Sequence, residues 1–522
     1  MLKMVDGIGI IGVDMVCPLG GTVSPPQPPN YDKVEVEGVG SLMLPNSLKA
    51  HLERVELIGN SVQGENPSPD NPQEIKSAGR KSKNLLIENI SVFTVQDNIA
   101  YMPLPEGHET KQYTMLIQKK PGENDDVGFT CGFYDKSNMA ANYAVPCLQA
   151  GNLVTGNGIV NSKIGVNHFV CFSPADSRFF DIYNVMYVEG KETTLDYEPY
   201  GYFFDLKITG KNLLSNKSAD WQIGKGTSWS TYPQDAIIIY SVINSAVNVI
   251  NLKPSTTYSI VNNSGEIVIS RIIERGSSEN GIKDHDVRHS KYTFVTNQNT
   301  MNAILQFKKV DGTELLSSDI ESNKIMLVEG EANENTPYEP CTEQSVQIAL
   351  NEPLRGIGEY KDMLTKDGVV RKIYEQTLKK ERISMNEYNW DTKYFRLYVN
   401  PDNDKKIDSS INIHELFSNM FKKFVIYKNN PIIYWIISEE EIRSMGVTES
   451  DSREIAYEKI KDFVANNDIV VQYPIVETTL EPLSEFVQAQ LSALHSENGA
   501  THVFVDSGEV PCGIKLTYRK EK

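Results

Sequence analysis

Asn84-Leu85-Leu86 opens a stretch of the chain that closes on Val185-Met186-Tyr187-Val188-Glu189-Gly190 and Tyr197-Glu198-Pro199. The same three signals recur further along in the same order, as Asn212-Leu213-Leu214, Ile325-Met326-Leu327-Val328-Glu329-Gly330 and Tyr338-Glu339-Pro340. The openings are offset by 212 − 84 = 128 positions and the closings by 338 − 197 = 141, so the second copy is longer. A surface loop absorbs such a difference at little cost. The chain therefore contains a tandem repeat of domain size. Such a repeat favours structural or binding modules over a single active site.

Each copy has the pattern of an antiparallel β-sandwich. Short apolar stretches such as Tyr113–Gln118 and Lys291–Val295 alternate with clusters of Gly, Asn, Asp and Ser. Many short strands separated by polar turns are typical of sandwich folds. The sequence therefore predicts a mainly β protein with two tandem sandwiches.

The bulk composition narrows the functional classes. The 522 residues suffice for three or four domains, and a hydrophobic content of 40% allows each one a core. The formal net charge of −18 and the lack of a basic stripe argue against nucleic-acid binding. No stretch is apolar enough to span a membrane. The six cysteines form no C-x-x-C pair, which favours assembly in a reducing cytosol over a disulfide framework.

The composition along the chain predicts six segments. Residues 1–45 are expected to form an extended N-terminal anchor arm around Pro25-Pro26-Gln27-Pro28-Pro29, and 46–83 a strand followed by a Pro-rich connector. The sandwiches occupy 84–201 and 202–342, and a second connector occupies 343–385. Residues 386–522 are expected to form an α+β domain, in which Ile413–Phe421 has apolar residues at helical spacing.

In five stretches the chain resembles the modular tail proteins of bacteriophages and prophages of Gram-positive bacteria. Two are the paired openings and paired closings of the repeats, and the other three are Val62-Gln63-Gly64 with Pro67-x-Pro69-Asp70-Asn71-Pro72, Leu354-Arg355-Gly356-Ile357-Gly358 with Lys361-Asp362, and Val470-Val471-Gln472-Tyr473-Pro474. The order of these motifs along the chain carries the resemblance.

The resemblance implies a virion protein of the tail tip, baseplate or tail fibre. It implies that the repeats are jelly-roll-like sandwiches of the carbohydrate-binding type, and that the chain contributes to host attachment. Expected partners are other tail subunits, further copies of the same chain and a host cell-surface glycan. Assembly in the host cytoplasm would precede incorporation into the virion, without nucleic-acid binding or membrane insertion.

Trp221, Trp229 and Tyr232 are the candidate carbohydrate-binding residues. Flat aromatic rings suit the apolar face of a pyranose, and large aromatics dominate binding surfaces. The alternative is that these three side chains pack inside the second sandwich, as aromatic residues usually do.

No motif predicts a catalytic residue, a metal site or a cofactor. Gly7–Gly12 matches a dinucleotide pattern without the strand that should precede it. Asp284-His285-Asp286 with His289 reads as a polar loop rather than a metal site. Asp402, Asp404 and Asp408 begin like a calcium loop, but the central glycine and the closing glutamate are missing.

Three alternatives stay open at the level of sequence. A cell-wall glycan hydrolase would need two carboxylates at a fixed separation, and 69 acidic residues allow many pairs. A bacterial adhesin would be expected to carry a signal peptide and a wall anchor. A purely structural component would bridge tail subunits without contacting a receptor.

Overall fold

The computed structural model describes residues 31–521 apart from 87–92, 97–98, 106, 121–129, 135–146, 150–156, 163–165, 167, 173–178, 194, 216, 218–221, 225–228, 232–238, 242–244, 263–265, 277–280, 301, 323, 334, 403–404, 411–412 and 477–479. The protein is mainly β, with 49% strand and 11% helix in the part that the structure describes. The strands pair in antiparallel fashion throughout the described residues.

The first described segment forms six strands before the first repeat. They are β1 Tyr31–Val39, β2 Ser41–Ser47, β3 Arg54–Ile58, β4 Ser61–Gln63, β5 Ile75–Ser77 and β6 Arg80–Lys81. Val34 and Val36 of β1 pack against a buried core while the charged residues between them stay outside. This alternation is the period of a half-buried strand.

Repeat 1 consists of two small sheets and a short helix. Its elements are β7 Thr94–Gln96, β8 Ile99–Pro103, β9 Tyr113–Lys119, β10 Thr130–Tyr134, β11 Cys147–Gln149, β12 Asn157–Asn161, β13 His168–Phe172, α1 Phe179–Ile182 and β14 Tyr183–Glu189. A five-stranded sheet has the order β11-β10-β13-β8-β7 and a three-stranded sheet the order β12-β9-β14. Buried side chains of both sheets, among them Tyr113 and Phe133, share one core.

Strand β15 Tyr202–Thr209 connects the two repeats. Repeat 2 then contains β16 Gln222–Gly224, β17 Trp229–Thr231, β18 Ile239–Ser241, β19 Ser245–Asn251, β20 Thr257–Asn262, β21 Ile267–Arg275, β22 Gly281–His289, β23 Lys291–Val295, β24 Asn302–Lys309, α2 Ser317–Ser322 and β25 Ile325–Glu329.

The two repeats have the same strand order. Repeat 2 has a five-stranded sheet β16-β19-β24-β21-β22 and a three-stranded sheet β23-β20-β25, which match those of repeat 1 strand for strand along the chain. The β17–β18 pair is an addition between β16 and β19, which lie 245 − 224 − 1 = 20 residues apart. Their counterparts β7 and β8 lie 99 − 96 − 1 = 2 residues apart, so this hairpin accounts for the greater length of repeat 2.

The rest of the chain contains a third unit and the last strands. First come β26 Glu343–Leu350, β27 Gly356–Ile357, β28 Tyr360–Lys361, β29 Met363–Thr365 and β30 Gly368–Val370. The third unit, here called the α+β unit, follows with β31 Ile373–Thr377, β32 Ile383–Asn389, β33 Tyr394–Val399, β34 Ile413–Ser418, β35 Phe424–Ile426, β36 Ile433–Ile437, α3 Glu439–Ser444, α4 Arg453–Asn466 and β37 Val470–Pro474. The chain continues with β38 Leu480–Pro482, α5 Glu485–Ala493, β39 Gly499–Asp506 and β40 Gly513–Glu521.

Strands from distant parts of the chain build one eleven-stranded sheet, which we call the hub. Its order is β26-β15-β39-β2-β1-β40-β3-β29-β30-β38, and β6 pairs with β15. Strands β1 and β40 pair in register from Tyr31 opposite Glu521 to Val39 opposite Gly513. The buried face of the hub includes Leu44, Phe204, Ile348 and Leu516.

Each of the three units is inserted between two hub strands that are hydrogen-bonded neighbours. Repeat 1 lies between β6 and β15, repeat 2 between β15 and β26, and the α+β unit between β30 and β38. Because entry and exit are adjacent, each unit can close its own core without disturbing the hub.

Three sequence expectations differ from this structure. Residues 31–45, expected in an extended arm, lie in β1 and β2, and residues 1–30 are outside the described part. Residues 343–385, expected as a connector, supply hub strands β26, β29 and β30, while β38, β39 and β40 join the hub rather than the α+β unit. The predicted helix over 413–421 is wrong, because Ile413–Ser418 is a strand in which Leu416 and Ser418 are buried alternately.

Candidate functional site

The opening asparagine of repeat 1 ties the start of the repeat to its closing strand. The Asn84 side chain is buried and accepts hydrogen bonds from the amides of Leu86 at 2.9 Å and Tyr187 at 3.3 Å. Its amide nitrogen donates to the carbonyl of Val185 at 3.4 Å. We call this arrangement the asparagine clamp.

The clamp recurs in repeat 2. Asn212 accepts from the amides of Leu214 at 3.0 Å and Leu327 at 3.1 Å, and it donates to the carbonyls of Ile325 at 3.3 Å and Glu339 at 3.0 Å. The closing motif is therefore bonded to the opening motif in both copies. The repeated residues in the sequence are those that fasten each unit where it leaves the hub.

One of the three residues of the predicted aromatic platform can be placed, on the β17–β18 hairpin. Trp229 is the first residue of β17, and its backbone pairs with Ser241. Trp221 and Tyr232 lie outside the described residues, as does the side chain of Trp229. The structure therefore places Trp229 on the one hairpin that distinguishes the described part of repeat 2 from repeat 1, while the joint platform stays a prediction.

The histidine cluster of repeat 2 lies in a strand rather than in a loop. His285 belongs to β22, and its Nε2 lies 2.6 Å from Oε1 of Glu274, which is fully buried. Its Nδ1 lies 3.1 Å from the hydroxyl of Tyr292. The other oxygen of Glu274 accepts from the amide of Asn297 and the hydroxyl of Thr300, each at 2.6 Å.

This chain of polar groups fastens a loop to the sheet. Burial raises the pKa of Glu274, but the hydrogen bonds from Thr300, Asn297 and His285 outweigh it and hold the pKa below its ordinary value. His289, four residues after His285, is exposed. Among the described residues no group of three His, Cys, Asp or Glu side chains is arranged to hold a metal ion.

Two of the three aspartates near Asp402 are described, and both accept hydrogen bonds from neighbouring groups. Asp402 Oδ2 accepts a hydrogen bond from the Tyr374 hydroxyl at 3.0 Å, and Asp408 accepts from the amide of Ser410 at 2.9 Å. Asp404 lies outside the described residues, as does the segment 7–12 that matches the dinucleotide-binding pattern.

A cleft of about 630 Å³ lies where the hub meets the α+β unit. We call it the junction cleft. Its walls come from the segments 74–81, 353–355 and 508–510, from Tyr202, and from Glu375, Asn419 and Val470 of the α+β unit. Four cationic and three acidic side chains line it, namely Lys76, Arg80, Lys81, Arg355, Glu74, Glu375 and Glu509.

Hydrogen bonds within the α+β unit, and between it and the segment 61–77 that contains the β4–β5 pair, hold the walls of this cleft in place. The amide of Gln73 donates to the carbonyl of Asn419 at 2.6 Å, and the side chain of Gln63 donates to the carbonyl of Ser418. Gln472, which is fully buried, donates to Glu375 at 2.8 Å and to Ser77 at 3.4 Å. The cleft is therefore preformed by contacts that do not involve a ligand.

Two glycines allow the walls to approach closely. Gly79 has φ +136°, and a Cβ on it would lie 2.9 Å from the Cβ of Tyr202. Gly508 has φ +77°, and a Cβ there would lie 2.9 Å from the Cα of Arg80. Side chains at these positions would clash as well as strain the backbone.

Two residues that line the cleft belong to motifs found in the sequence, although no site was predicted there. Arg355 belongs to the Leu354-Arg355-Gly356 motif, and Val470 to the Val470–Pro474 motif. Nothing in the sequence shows that segments near 75, 202, 355, 375 and 509 meet, because their adjacency depends on the order of the hub strands.

Comparisons with known proteins leave the family open. No protein-family model matches the chain, and no curated protein matches it. Among solved structures, the infectious bursal disease virus VP2 subviral particle aligns over 96% of this chain and 84% of its own, with 6% identity and a TM-score of 0.11. The Gx strain of the same virus aligns over 95% and 82%, with 7% identity and a TM-score of 0.12. Similarities this weak carry no argument about fold or function.

None of the helices in the described part of the chain has the length and apolarity that crossing a bilayer requires.

Proposed function

We propose that this protein is a structural component of a bacteriophage tail, located in the tail tip, baseplate or fibre, that helps the particle to attach to its host. Its two repeats serve as jelly-roll-like modules of the carbohydrate-binding type. The chain performs no covalent chemistry in this role. Its partners are other tail subunits, further copies of itself and a glycan on the host surface.

The observation that carries the proposal is the duplication of one module on one scaffold. Both repeats have the same order of strands and the same asparagine clamp, and both are inserted beside strand β15 of the hub. A scaffold that presents equivalent modules suits adhesion, since linked weak sites raise the effective concentration of each other. The five motifs that resemble phage tail proteins support the same role.

Binding to bacterial envelopes tests the adhesive part of the proposal. The intact protein is mixed with purified envelopes of Gram-positive cells, and the bound fraction is measured by sedimentation. Trp229→Ala should reduce binding at least tenfold while leaving the melting temperature unchanged. The matched control is Phe486→Ala, which removes an aromatic ring that is 72% exposed on helix α5, outside the two repeats.

The alternatives give different results in the same experiment. Release of reducing sugars from the envelopes would show a glycan hydrolase and overturn the proposal. If the protein does not bind envelopes but a specific antibody against it labels the tail in electron micrographs, the protein is a purely structural subunit. An antibody that labels no part of a particle would reject the tail assignment itself.

A further inference from the structure

We propose that the junction cleft binds a neutral saccharide. This inference deepens the adhesive function proposed above, because it names a second contact site and a ligand class. It stands on the lining of the cleft and does not depend on the β17–β18 hairpin.

The volume and the rigidity of the cleft suit a small ligand. At about 630 Å³ it falls within the usual range of ligand sites, roughly 300–1,000 Å³. Its walls are fixed by the hydrogen bonds of Gln73 and Gln472 and by the close approach at Gly79 and Gly508. A preformed site loses little conformational entropy when it binds.

Several polar groups of the lining are left without hydrogen bonds. Arg355 is 6% exposed, and one of its terminal nitrogens donates to Glu352 at 2.6 Å. Its Nε is buried and has no hydrogen-bond partner, since the nearest carboxylate oxygen, on Glu375, is 3.6 Å away. Within the described residues, the Tyr202 hydroxyl and the exposed ammonium group of Lys81 also have no hydrogen-bond partner. The Tyr202 hydroxyl and the Lys81 ammonium group are therefore available to hydrogen-bond a ligand in the cleft, whereas the Arg355 Nε is too deeply buried for a ligand to reach.

Apart from the exposed Glu74, the remaining charged side chains of the cleft have polar partners. Lys76 bonds Glu509, and Arg80 bonds Glu198 at 2.7 Å. Glu375 accepts a hydrogen bond from Gln472. These pairs place hydrogen-bond donors and acceptors side by side around the cleft, so the cleft, as lined by the described residues, has no region of a single charge sign.

The mixture of charges selects the class of ligand. A free anion would meet the carboxylates of Glu74, Glu375 and Glu509, and a free cation would meet the four basic side chains. A hydroxyl group both donates and accepts, so a ring that carries several hydroxyls can satisfy both kinds of partner. The aromatic ring of Tyr202 offers a flat apolar surface for the carbon-bound face of such a ring.

A panel of neutral oligosaccharides tests the proposal on the intact protein. The probes are hexose and N-acetylhexosamine oligomers of two to six units, immobilised on an array, and the strongest binder is then measured by titration calorimetry. Tyr202→Ala and Lys81→Ala should each weaken its affinity about tenfold or more. Tyr200→Ala and Lys83→Ala are the matched controls, because neither residue lines the cleft, and both should bind as the natural sequence does.

Each alternative outcome is decisive. If no neutral oligosaccharide binds, or if glucuronate or inorganic phosphate binds in preference, the proposal is overturned. If Trp229→Ala abolishes binding while Tyr202→Ala does not, the saccharide site is on the hairpin, and the cleft is rejected while the adhesive function survives. If Tyr202→Ala fails to fold, Lys81→Ala decides, because that side chain is exposed.

Discussion

Replacing Asn212 with alanine should destabilise repeat 2 selectively. The substitution removes the acceptor for two backbone amides, those of Leu214 at 3.0 Å and Leu327 at 3.1 Å. It also removes the donor to the carbonyls of Ile325 and Glu339. Asn212 is 1% exposed, so water cannot readily replace these bonds.

The magnitude follows from the two amides left without acceptors. An unsatisfied buried donor costs about 1–3 kcal/mol, so the loss of both should cost about 2–5 kcal/mol after some local relaxation. For a unit of this size, that loss corresponds to a fall in melting temperature on the order of 10 °C. Asn84→Ala should affect repeat 1 slightly less, because Asn84 makes one fewer hydrogen bond, with longer distances to the closing strand.

Calorimetry of the intact chain combined with hydrogen exchange is the appropriate assay. A protein of several units does not unfold in a single transition, so the exchange of peptides from each unit must identify which one melts. Asn212→Ala should accelerate exchange in β20 and β25 and leave β9 and β14 unchanged. The control is Asn299→Ala, an exposed position in the same repeat.

Two results would refute this reasoning. A shift no larger than that of Asn299→Ala would mean that the clamp contributes nothing measurable to stability. An equal loss of protection in repeat 1 and repeat 2 would mean that the units do not fold independently of each other.

Three further outcomes are expected. Because the pKa of Glu274 lies below its ordinary value of 4.5, the carboxylate contributes stability that is fully present above that value and is lost as the pH falls through the lowered pKa; acid unfolding of repeat 2, followed by circular dichroism, should therefore lose this pH dependence in Glu274→Gln. Gly79→Ala should lower the stability of the protein by more than Gly312→Ala, whose position in repeat 2 has a positive φ but open space around it and is expected to cost about 1 kcal/mol, as measured by thermal melting. Burial raises the pKa of the Cys512 thiol to about 11, so a thiol reagent at pH 8 should modify the half-buried Cys341 well before Cys512, as mass spectrometry of the digested protein would show.

Local sequence patterns predicted the individual strands better than they predicted how distant strands pair. Several strands of both repeats were expected close to their observed bounds, since Tyr113–Gln118 corresponds to β9 and Lys291–Val295 to β23, whereas β22 was expected as a loop. Periodicity and turn chemistry are local properties, and they specify strands without specifying their partners.

The hub was not predicted from the sequence, although apolar and charged residues alternate clearly in its strands. Val34 and Val36 alternate with charged residues in β1, as Ile514 and Leu516 do in β40, but these segments lie at opposite ends of the described chain. The helix expected over 413–421 failed for a related reason, because an apolar set such as Leu416 and Met420 satisfies both the helical and the strand period. The junction cleft depends on the hub, so its residues could not be grouped from sequence.

The register of β1 against β40 has a consequence for biosynthesis. About 470 residues separate the two strands along the chain, since 513 − 39 = 474. At about 5–20 residues per second, β1 leaves the ribosome roughly 25–100 s before its partner exists. Both repeats and the α+β unit have time to fold during this delay, while the amides and carbonyls at the open edge of β1 stay unpaired until β40 has been synthesised. A molecular chaperone that shields this edge should therefore raise the yield of native protein more than one that assists the inserted units.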